Sequence, residues 1–289
     1  MSRETLRWQS KLVLLLVLPV VGCGLVLETS DWFGSAPAVV YRTLGLSVAL
    51  GVVTLALRAA TPFAAVTGSV ITAQLMYATA AMPFYAWRTY IVPVLAVSLL
   101  AFAATHVGRG KKERIGTAEA RGGRSAAQVA ANLGAAALIS TGLFESWVVN
   151  SRWMPHSAMA LLLASLAAMA EAAADTVSSE IGQVFGGRPR MIISFRPVVA
   201  GTDGGITFAG TLAGIAAAVI VAALGSWAVH RDLRFFLLAT AGAVFGLFFD
   251  SLLGATFERI GWLDNDAVNF LSTVSAAAFT LIALTLRPG

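Results

Sequence analysis

Apolar residues fill most of this chain in long stretches that charged residues interrupt mainly at their ends. A helix of about 20 apolar residues crosses a hydrocarbon core about 30 Å thick. Backbone polar groups inside lipid must be satisfied within the segment, so such stretches are expected to be α-helices. The pattern predicts an all-α, polytopic transmembrane helical bundle of about nine helices. The predicted segments are 11–27, 40–59, 62–82, 89–107, 126–148, 156–175, 206–229, 234–254 and 267–286.

Composition supports this fold class and argues against two others. The chain is 57% hydrophobic and 12% charged, with a mean hydropathy of +0.78. A soluble globular domain carries about a quarter charged residues, and an outer-membrane barrel shows alternating segments of about 10 residues. We therefore expect one integral membrane domain over 1–289. The single Cys23 allows neither an internal disulfide nor a cysteine-based metal site.

Basic residues predict how the bundle is oriented. Arg3, Arg7 and Lys11 precede the first apolar segment, which we interpret as a retained helix rather than a cleaved signal peptide. With the N-terminus in the cytosol, cytosolic segments hold fourteen of the 20 lysine and arginine residues. The positive-inside rule therefore favours a cytosolic N-terminus, in a cytoplasmic (inner) membrane, with long cytosolic loops at 108–125 and 176–205.

The second of these loops has a composition suited to phosphate binding. It contains six glycines, two of them Gly204 and Gly205, which let backbone N–H groups approach a ligand closely. Arg188, Arg190 and Arg196 lie between the glycines, and guanidinium groups bind phosphate oxygens in pairs of hydrogen bonds. The loop contains neither a Walker A motif nor a dinucleotide-binding fingerprint. For loop 108–125, the simpler interpretation is a basic segment that fixes topology and attracts lipid headgroups.

Carboxylates interrupt two of the apolar segments. Glu171, Asp175 and Ser179 follow one another at intervals of four and would share one helical face, with Glu180 adjacent. Asp250 stands between two apolar runs with no turn signal beside it. Carboxylates inside a membrane segment are costly and usually functional. We therefore expect these residues to belong to a site.

Other polar residues lie at the ends of the predicted helices. Arg124, Gln128 and Asn132 are spaced by four and would lie along one face. Asp203 before a glycine is by itself typical of a turn, and Asp264 or Asp266 is placed to cap a helix. Carboxylates without cysteines and with few histidines favour Mg²⁺ over Zn²⁺. Together with arginines and a glycine-rich backbone, they suit phosphoryl transfer.

Several segments resemble one integral membrane family, long labelled a domain of unknown function, that contains phytyl-phosphate kinase and transmembrane protein nineteen. The segments are "RGGRSAAQVAANLGAAAL", "ADTVSSEIGQVFGGRPRMIISFRPVVAGTDGGITFAGTLAG", "FFDSLLGATFER" and "DNDAVNFLST". The similarity covers 60–289, and the helices within 11–59 are expected to be peripheral to that core. Two positions depart from the family pattern: Asp203, where the family usually has Asn, and Val177, where Trp is common.

The resemblance implies a kinase that converts an isoprenyl monophosphate into the diphosphate with CTP as the donor. It places Asp175, Glu180, Asp250 and the loop at 201–205 in one site. As a hypothesis, the first three hold Mg²⁺ and the nucleotide, with Asp203 as a further catalytic carboxylate. The residues expected to bind nucleotide or phosphate are Arg124, Gln128, Asn132, Ser179, Arg188, Arg190, Arg196, Thr202, Gly204, Gly205, Ser251, Asn265 and Asn269.

Two other functions fit the same residues. A CTP-dependent lipid cytidylyltransferase would use the same metal and donor but release pyrophosphate. A transporter or flippase for phosphorylated lipids would use the buried carboxylates as proton relays. The polar residues cluster at one membrane face, whereas transporter sites lie near the midplane, and this favours the kinase. The expected partners are an isoprenoid lipid phosphate, a nucleotide and membrane lipids, with no nucleic acid; oligomerisation stays open.

Overall fold

A computed structural model describes residues 8–119, 122–151 and 158–286. Arg3, Arg7 and Arg121, which contributed to the predicted orientation, lie outside these ranges. The described chain is predominantly helical. Its helices are α1 Trp8–Ser35, α2 Pro37–Ala56, α3 Pro62–Ala78, α4 Ile91–His106, α5 Arg109–Ile115, α6 Ala126–Ile139, α7 Gly142–Ser151, α8 Ala158–Phe185, α9 Phe208–Val229, α10 Leu233–Leu253 and α11 Asn265–Thr285.

The all-α polytopic membrane fold is confirmed. Each of the nine predicted segments coincides with a helix or with a bent pair of helices. Within the described residues, six helices are long and apolar enough to cross a membrane by themselves. The bent pairs α4–α5, at 66°, and α6–α7, at 52°, raise the number to eight if each forms one span. Helix α3, with 17 residues, is shorter than these spans.

Helix α8 forms the centre of the bundle. It packs against α4, α6, α9, α10 and α11, and most of its length is buried. Small residues allow the helices to approach closely. For example, a Cβ atom on Gly214 of α9 would lie 2.7 Å from the Ala174 carbonyl oxygen of α8. At 1.5 Å per residue, the 28 residues of α8 extend about 42 Å, which is longer than a hydrocarbon core.

The predicted loop boundaries need correction. Residues 176–185 were expected in a cytosolic loop but continue α8, because the stretch contains no proline and a helix tolerates its one glycine, Gly182, which packs against Thr207 and Gly210. Similarly, α5 occupies the first part of the loop predicted over 108–125. The remaining segment after α8 folds into a small antiparallel hairpin of β1, Arg190–Met191, and β2, Gly205–Ile206.

Several connecting segments meet at one end of the bundle. The Gln9 side chain of α1 donates to the Trp262 carbonyl and accepts from the Asp264 amide, both at 2.6 Å. Asp264 caps α11, as one of the two alternatives predicted, by accepting from the Ala267 amide at 3.0 Å. Helix α1 also packs against α3, α6 and α11, with Val17 fully buried in the core. This end of the bundle carries the candidate site.

Candidate functional site

Two carboxylates lie side by side where α8 and α10 cross. The Asp175 and Asp250 carboxyl groups interact directly, and Glu171 lies one turn from Asp175 along α8. Close packing between the helices makes this approach possible, since a Cβ atom on Gly246 of α10 would lie 2.5 Å from the Glu171 side chain. The structure therefore brings Asp175 and Asp250 together, with Glu171 beside them; that they form a functional site stays a prediction.

Some oxygens of this cluster are left without donors. Within the described part of the chain, Oδ2 of Asp250 and both carboxylate oxygens of Glu171 are buried and accept no hydrogen bond. Adjacent buried carboxylates repel each other, and their charge is costly unless a cation or a proton compensates it. The pair Asp175 and Asp250 is therefore arranged to receive a positively charged group.

The pair opens into a cavity of about 300 Å³, called here the polar cavity. Its walls are formed by α8, the hairpin loop, the start of α9, the end of α10 and the start of α11. Ten of the predicted site residues line it. They are Asp175, Ser179, Thr202, Asp203, Gly204, Gly205, Asp250, Ser251, Asn265 and Asn269.

Two helix N-termini contribute to the wall of the polar cavity. Thr207 caps α9 by accepting from the Gly210 amide at 3.0 Å, and Asn265 opens α11; both residues line the cavity. Helix N-termini carry a partial positive charge, which favours anions. At α11 two carboxylates already meet this charge, because Asp264 caps the helix and Asp266 lies in its first turn. The polar cavity thus offers acidic groups together with the N-terminus of α9, a combination suited to a metal-bound polyphosphate.

Gly204 fixes the hairpin loop against α10. Its φ of +72° lies in the left-handed region that glycine adopts readily. Any Cβ atom there would overlap the backbone of Ala255, at the turn of π-helix Gly254–Glu258 that follows α10. This contact places Asp203 near the Asp250 end of the cavity, and it explains why glycine is needed at this position.

Glu180 does not line the polar cavity. Its carboxylate accepts from the Lys112 ammonium at 2.5 Å and from the Thr105 hydroxyl at 3.1 Å. Lys112 is only 1% exposed and also donates to the Ala104 and Thr105 carbonyls. Glu180 therefore joins α8 to the bend between α4 and α5, whereas the hypothesis placed it with Asp175 and Asp250 on the metal.

The predicted basic and amide residues separate into different places. Arg188, Arg190 and Arg196 are exposed and do not line the polar cavity. The Arg190 guanidinium donates to the Phe195 carbonyl at 2.9 Å, which closes the hairpin loop. Gln128 forms a capping box with Ser125 at the start of α6.

Arg124 and Asn132 line a second cavity, called here the apolar cavity, between α2, α3, α4 and α6. Arg124 also approaches α8, where its guanidinium lies 3.5 Å from the Thr176 hydroxyl.

Five further polar residues line the polar cavity without having been among the predicted site residues: Thr117, Ser178, Gln183, Thr207 and Glu258. Thr117 donates to the Gln183 side chain at 2.6 Å and thereby brings the segment after α5 to the cavity wall. Glu258 belongs to the same polar segment as Asp250, and its charge acts on that carboxylate. The position of Glu258 depends on the π-helical turn, which the sequence pattern does not reveal.

The carboxylates of the polar cavity could hold Mg²⁺ only together with ligands from outside the protein. Among the described residues, no group of three or more His, Cys, Asp or Glu side chains is arranged to hold a metal ion. Mg²⁺ is commonly bound by one or two carboxylates together with substrate phosphates and water. Asp175 and the unpartnered Oδ2 of Asp250 supply such a carboxylate pair.

Comparisons with known proteins identify relatives of the chain. A family model described as "Integral membrane protein DUF92" matches residues 45–277. The chain is 42% identical over 113 residues to an uncharacterized membrane protein of Methanocaldococcus jannaschii, a match that covers 39% of this chain and 47% of that protein. It is 32% identical over 200 residues to an uncharacterized membrane protein of Synechocystis sp., covering 68% and 73%.

A third relative is Protein VTE6, chloroplastic, of Arabidopsis thaliana, at 30% identity over 196 residues, covering 64% of this chain and 57% of that protein. The matches thus span about half the length of the M. jannaschii and A. thaliana relatives. No solved structure matches the chain.

Proposed function

Because the chain belongs to the integral membrane protein family DUF92, as its signature segments predicted, we propose that it is a membrane-embedded phosphotransferase. The proposed reaction transfers the terminal phosphoryl group of CTP, or of another nucleoside triphosphate, to phytyl or a related prenyl monophosphate. The product is the prenyl diphosphate. The family resemblance supports the choice of donor and acceptor, and the geometry supports the class of reaction.

One observation carries the proposal. The paired carboxylates of Asp175 and Asp250, with a buried oxygen left unpartnered, line the same polar cavity as the N-terminus of α9. Phosphoryl transfer depends mainly on positioning and on compensating charge, with little further chemistry required of the protein. A cavity that combines acidic groups with an anion-binding helix end supports that requirement.

Asp175 and Asp250 are the residues that would hold Mg²⁺, and the hydroxyl of Ser251 and the side-chain amide of Asn269 line the same cavity. The ion supplies charge neutralisation for the triphosphate oxygens. The N-terminus of α9 would bind remaining phosphate charge through backbone N–H groups. Asp203 and Gly204 would form the lid of the cavity on its hairpin side.

The acceptor needs no general base. An oxygen of the prenyl monophosphate attacks the γ-phosphorus of the nucleotide, and the bond between that phosphorus and the β–γ bridging oxygen breaks. The electron pair leaves with the nucleoside diphosphate, and no proton has to move because a phosphate monoester is already a nucleophile. The protein's task is to hold both phosphates in line. We place the cavity on the cytosolic side, where nucleotides are found and the basic loops are predicted.

The test uses detergent-purified protein with Mg²⁺, CTP and prenyl monophosphates, with products identified by mass. Prenyl diphosphate with an equal amount of CDP is expected. Asp175→Asn and Asp250→Asn should each lower the rate by more than about 100-fold. Their thermal stability should be unchanged or higher, since each removes one of two adjacent buried charges. Asp31→Asn, an exposed carboxylate of α1, is the control and should keep the full rate. Near-normal rates in either aspartate variant would refute the assignment.

Two other experimental outcomes would indicate a different function. Pyrophosphate together with a CDP-linked lipid would identify a cytidylyltransferase. The buried Glu171 carboxylate, one turn along α8 from Asp175, is the observation that favours a transporter with a proton relay. That alternative predicts no nucleotide turnover and a lipid flux in vesicles that depends on the pH gradient and is lost in Glu171→Gln.

A further inference from the structure

The apolar cavity has the size and lining of a site for a small amphiphile. Its volume is about 510 Å³, within the range of about 300–1,000 Å³ typical of cavities that bind one small molecule. Leu50 of α2, Val97 of α4 and Leu133 of α6 contribute to its apolar wall. Helices α3 and α4 make few contacts with each other, so the cavity lies between loosely joined helices. A hydrocarbon chain suits this lining.

Arginines lie at the end of this cavity where the connecting segments meet. Arg58, Arg109 and Arg124 line it there, together with Glu113 and Glu119. Arg109 forms an ion pair with Glu113, with an N–O distance of 3.2 Å. The Arg58 guanidinium has no hydrogen-bond or ion-pair partner among the residues that the structure describes. Arg58 and Arg124 therefore remain available for an anionic headgroup.

Arg58 occupies a position that normally belongs to glycine. Helix α2 ends with the Ala59 amide bonded to the Thr54 carbonyl at 2.9 Å and the Arg58 amide bonded to the Leu55 carbonyl at 3.0 Å. This is the Schellman arrangement, in which the residue corresponding to Arg58 takes a left-handed conformation and is usually glycine. Arg58 has a φ of +54°, which strains any residue with a Cβ atom. A charged side chain held in a strained conformation beside a cavity points to a binding role.

Backbone pairing holds Arg124 at the same rim. The Arg124 amide donates to the Ala59 carbonyl and the Thr61 amide donates to the Arg124 carbonyl, both at 3.0 Å. Gly123 permits this approach, since a Cβ atom there would overlap the backbone of Ala59 and Ala60. The two arginines, far apart in sequence, are thus fixed by neighbouring backbone segments. Arg124 also acts electrostatically on Asp175, a residue of the polar cavity.

We propose that the apolar cavity binds a single-chain lipid monophosphate, with its chain between α3 and α4 and its phosphate on Arg58 and Arg124. Naming this lipid as the acceptor of the phosphoryl group rests on the proposed function; the binding site itself does not. Arg58 is then a specificity-determining residue, because it distinguishes the phosphorylated lipid from the neutral alcohol. Arg124 also contacts Thr176 and acts electrostatically on Asp175, so it connects this cavity to the carboxylate pair.

The test measures binding of phytyl monophosphate to the detergent-purified protein by titration calorimetry, without nucleotide. Arg58→Gly should weaken binding about tenfold or more, as expected for loss of a charge-assisted hydrogen bond. Arg58→Lys keeps the charge and should lose less. Phe195→Gly relieves a similar strained φ of +53° outside both cavities and should bind as the parent protein does. Phytol should bind equally to the parent and to Arg58→Gly.

Three results would overturn the proposal: an unchanged Kd in Arg58→Gly, equal competition by the two-chain lipid phosphatidic acid, or inorganic phosphate binding as tightly as the lipid. The second would indicate a general site for anionic lipids, and the third a headgroup site without the cavity. The two proposals fail separately. Tight, Arg58-dependent binding without turnover refutes the kinase alone. Normal turnover in Arg58→Gly with an unchanged KM refutes this binding site alone.

Discussion

Replacing Gly204 with alanine adds one methyl group where the hairpin loop touches the end of α10. The substitution has two separable costs. Alanine is strained at a φ of +72°, and its Cβ atom would overlap the Ala255 backbone, which has no flexible side chain to move aside. Gly187 is a matched control, because it has a φ of +66° and no atom lies within 4 Å of the place that an added methyl group would take. Gly187→Ala carries the first cost without the second.

The expected magnitudes follow from these two terms. The left-handed conformation costs an L-residue about 1–2 kcal/mol, and overpacking adds about 1–3 kcal/mol. Gly187→Ala should therefore destabilise the protein by about 1–2 kcal/mol and Gly204→Ala by about 2–5 kcal/mol. For a chain of this size, 1 kcal/mol corresponds to a Tm shift of about 2–4 °C. If the loop moves away from α10, the loss of Tm is smaller but Asp203 leaves the cavity.

The assay is thermal unfolding in one detergent at one scan rate, together with the rate of prenyl diphosphate formation. Gly204→Ala should lose at least about tenfold in rate, because a displacement of about 1 Å at a phosphoryl-transfer site can cost more than that. Gly187→Ala should keep most of its activity. Equal Tm values and equal rates for the two variants would show that the contact between Gly204 and Ala255 does not position the site.

Three further substitutions test other contacts. Lys112→Met should destabilise the protein by about 3 kcal/mol by leaving the Glu180 carboxylate without its cation, and the double variant with Glu180→Gln should recover part of the Tm. Ser125→Ala should cost about 1 kcal/mol of unfolding free energy through loss of the α6 cap, and a Tm equal to that of the parent would contradict this. Arg58→Gly should raise stability by about 1 kcal/mol while it weakens lipid binding; a lowered Tm would show that the arginine has a structural role instead.

The apolar pattern was sufficient to predict the helices, and it made Asp175 and Asp250 conspicuous as carboxylates that the structure then brings together at one cavity. Both signals are local, because membrane burial requires long apolar runs and makes an isolated carboxylate conspicuous. The length of α8 was not predicted, since the polar residues after Asp175 mark the point where the helix leaves the apolar core, not where it ends. Within a continuous helix, Glu180 lies about 140° around the axis from Asp175, which explains its contact with Lys112.

The sequence pattern could not predict contacts between segments that are distant along the chain. The glycine-rich loop predicted a close backbone approach, but nothing local indicates that Gly204 meets Ala255. The arginines of that loop were assigned to phosphate by residue type alone, whereas Arg190 closes its own hairpin. The sequence does not distinguish Arg58 from other helix-end arginines, because its left-handed conformation is visible only in the backbone dihedral angles.

Arg124 lines the apolar cavity and acts electrostatically on Asp175 of the polar cavity, and this has a thermodynamic consequence. Its positive charge would oppose the binding of the proposed divalent cation at Asp175 and Asp250, and an anionic group bound to Arg124 would cancel that opposition. The two ligands would then bind cooperatively, and linkage requires each to tighten the other by the same factor. A membrane enzyme coupled in this way would leave its metal–nucleotide site weak until a lipid phosphate arrives, which protects the nucleotide from hydrolysis by water.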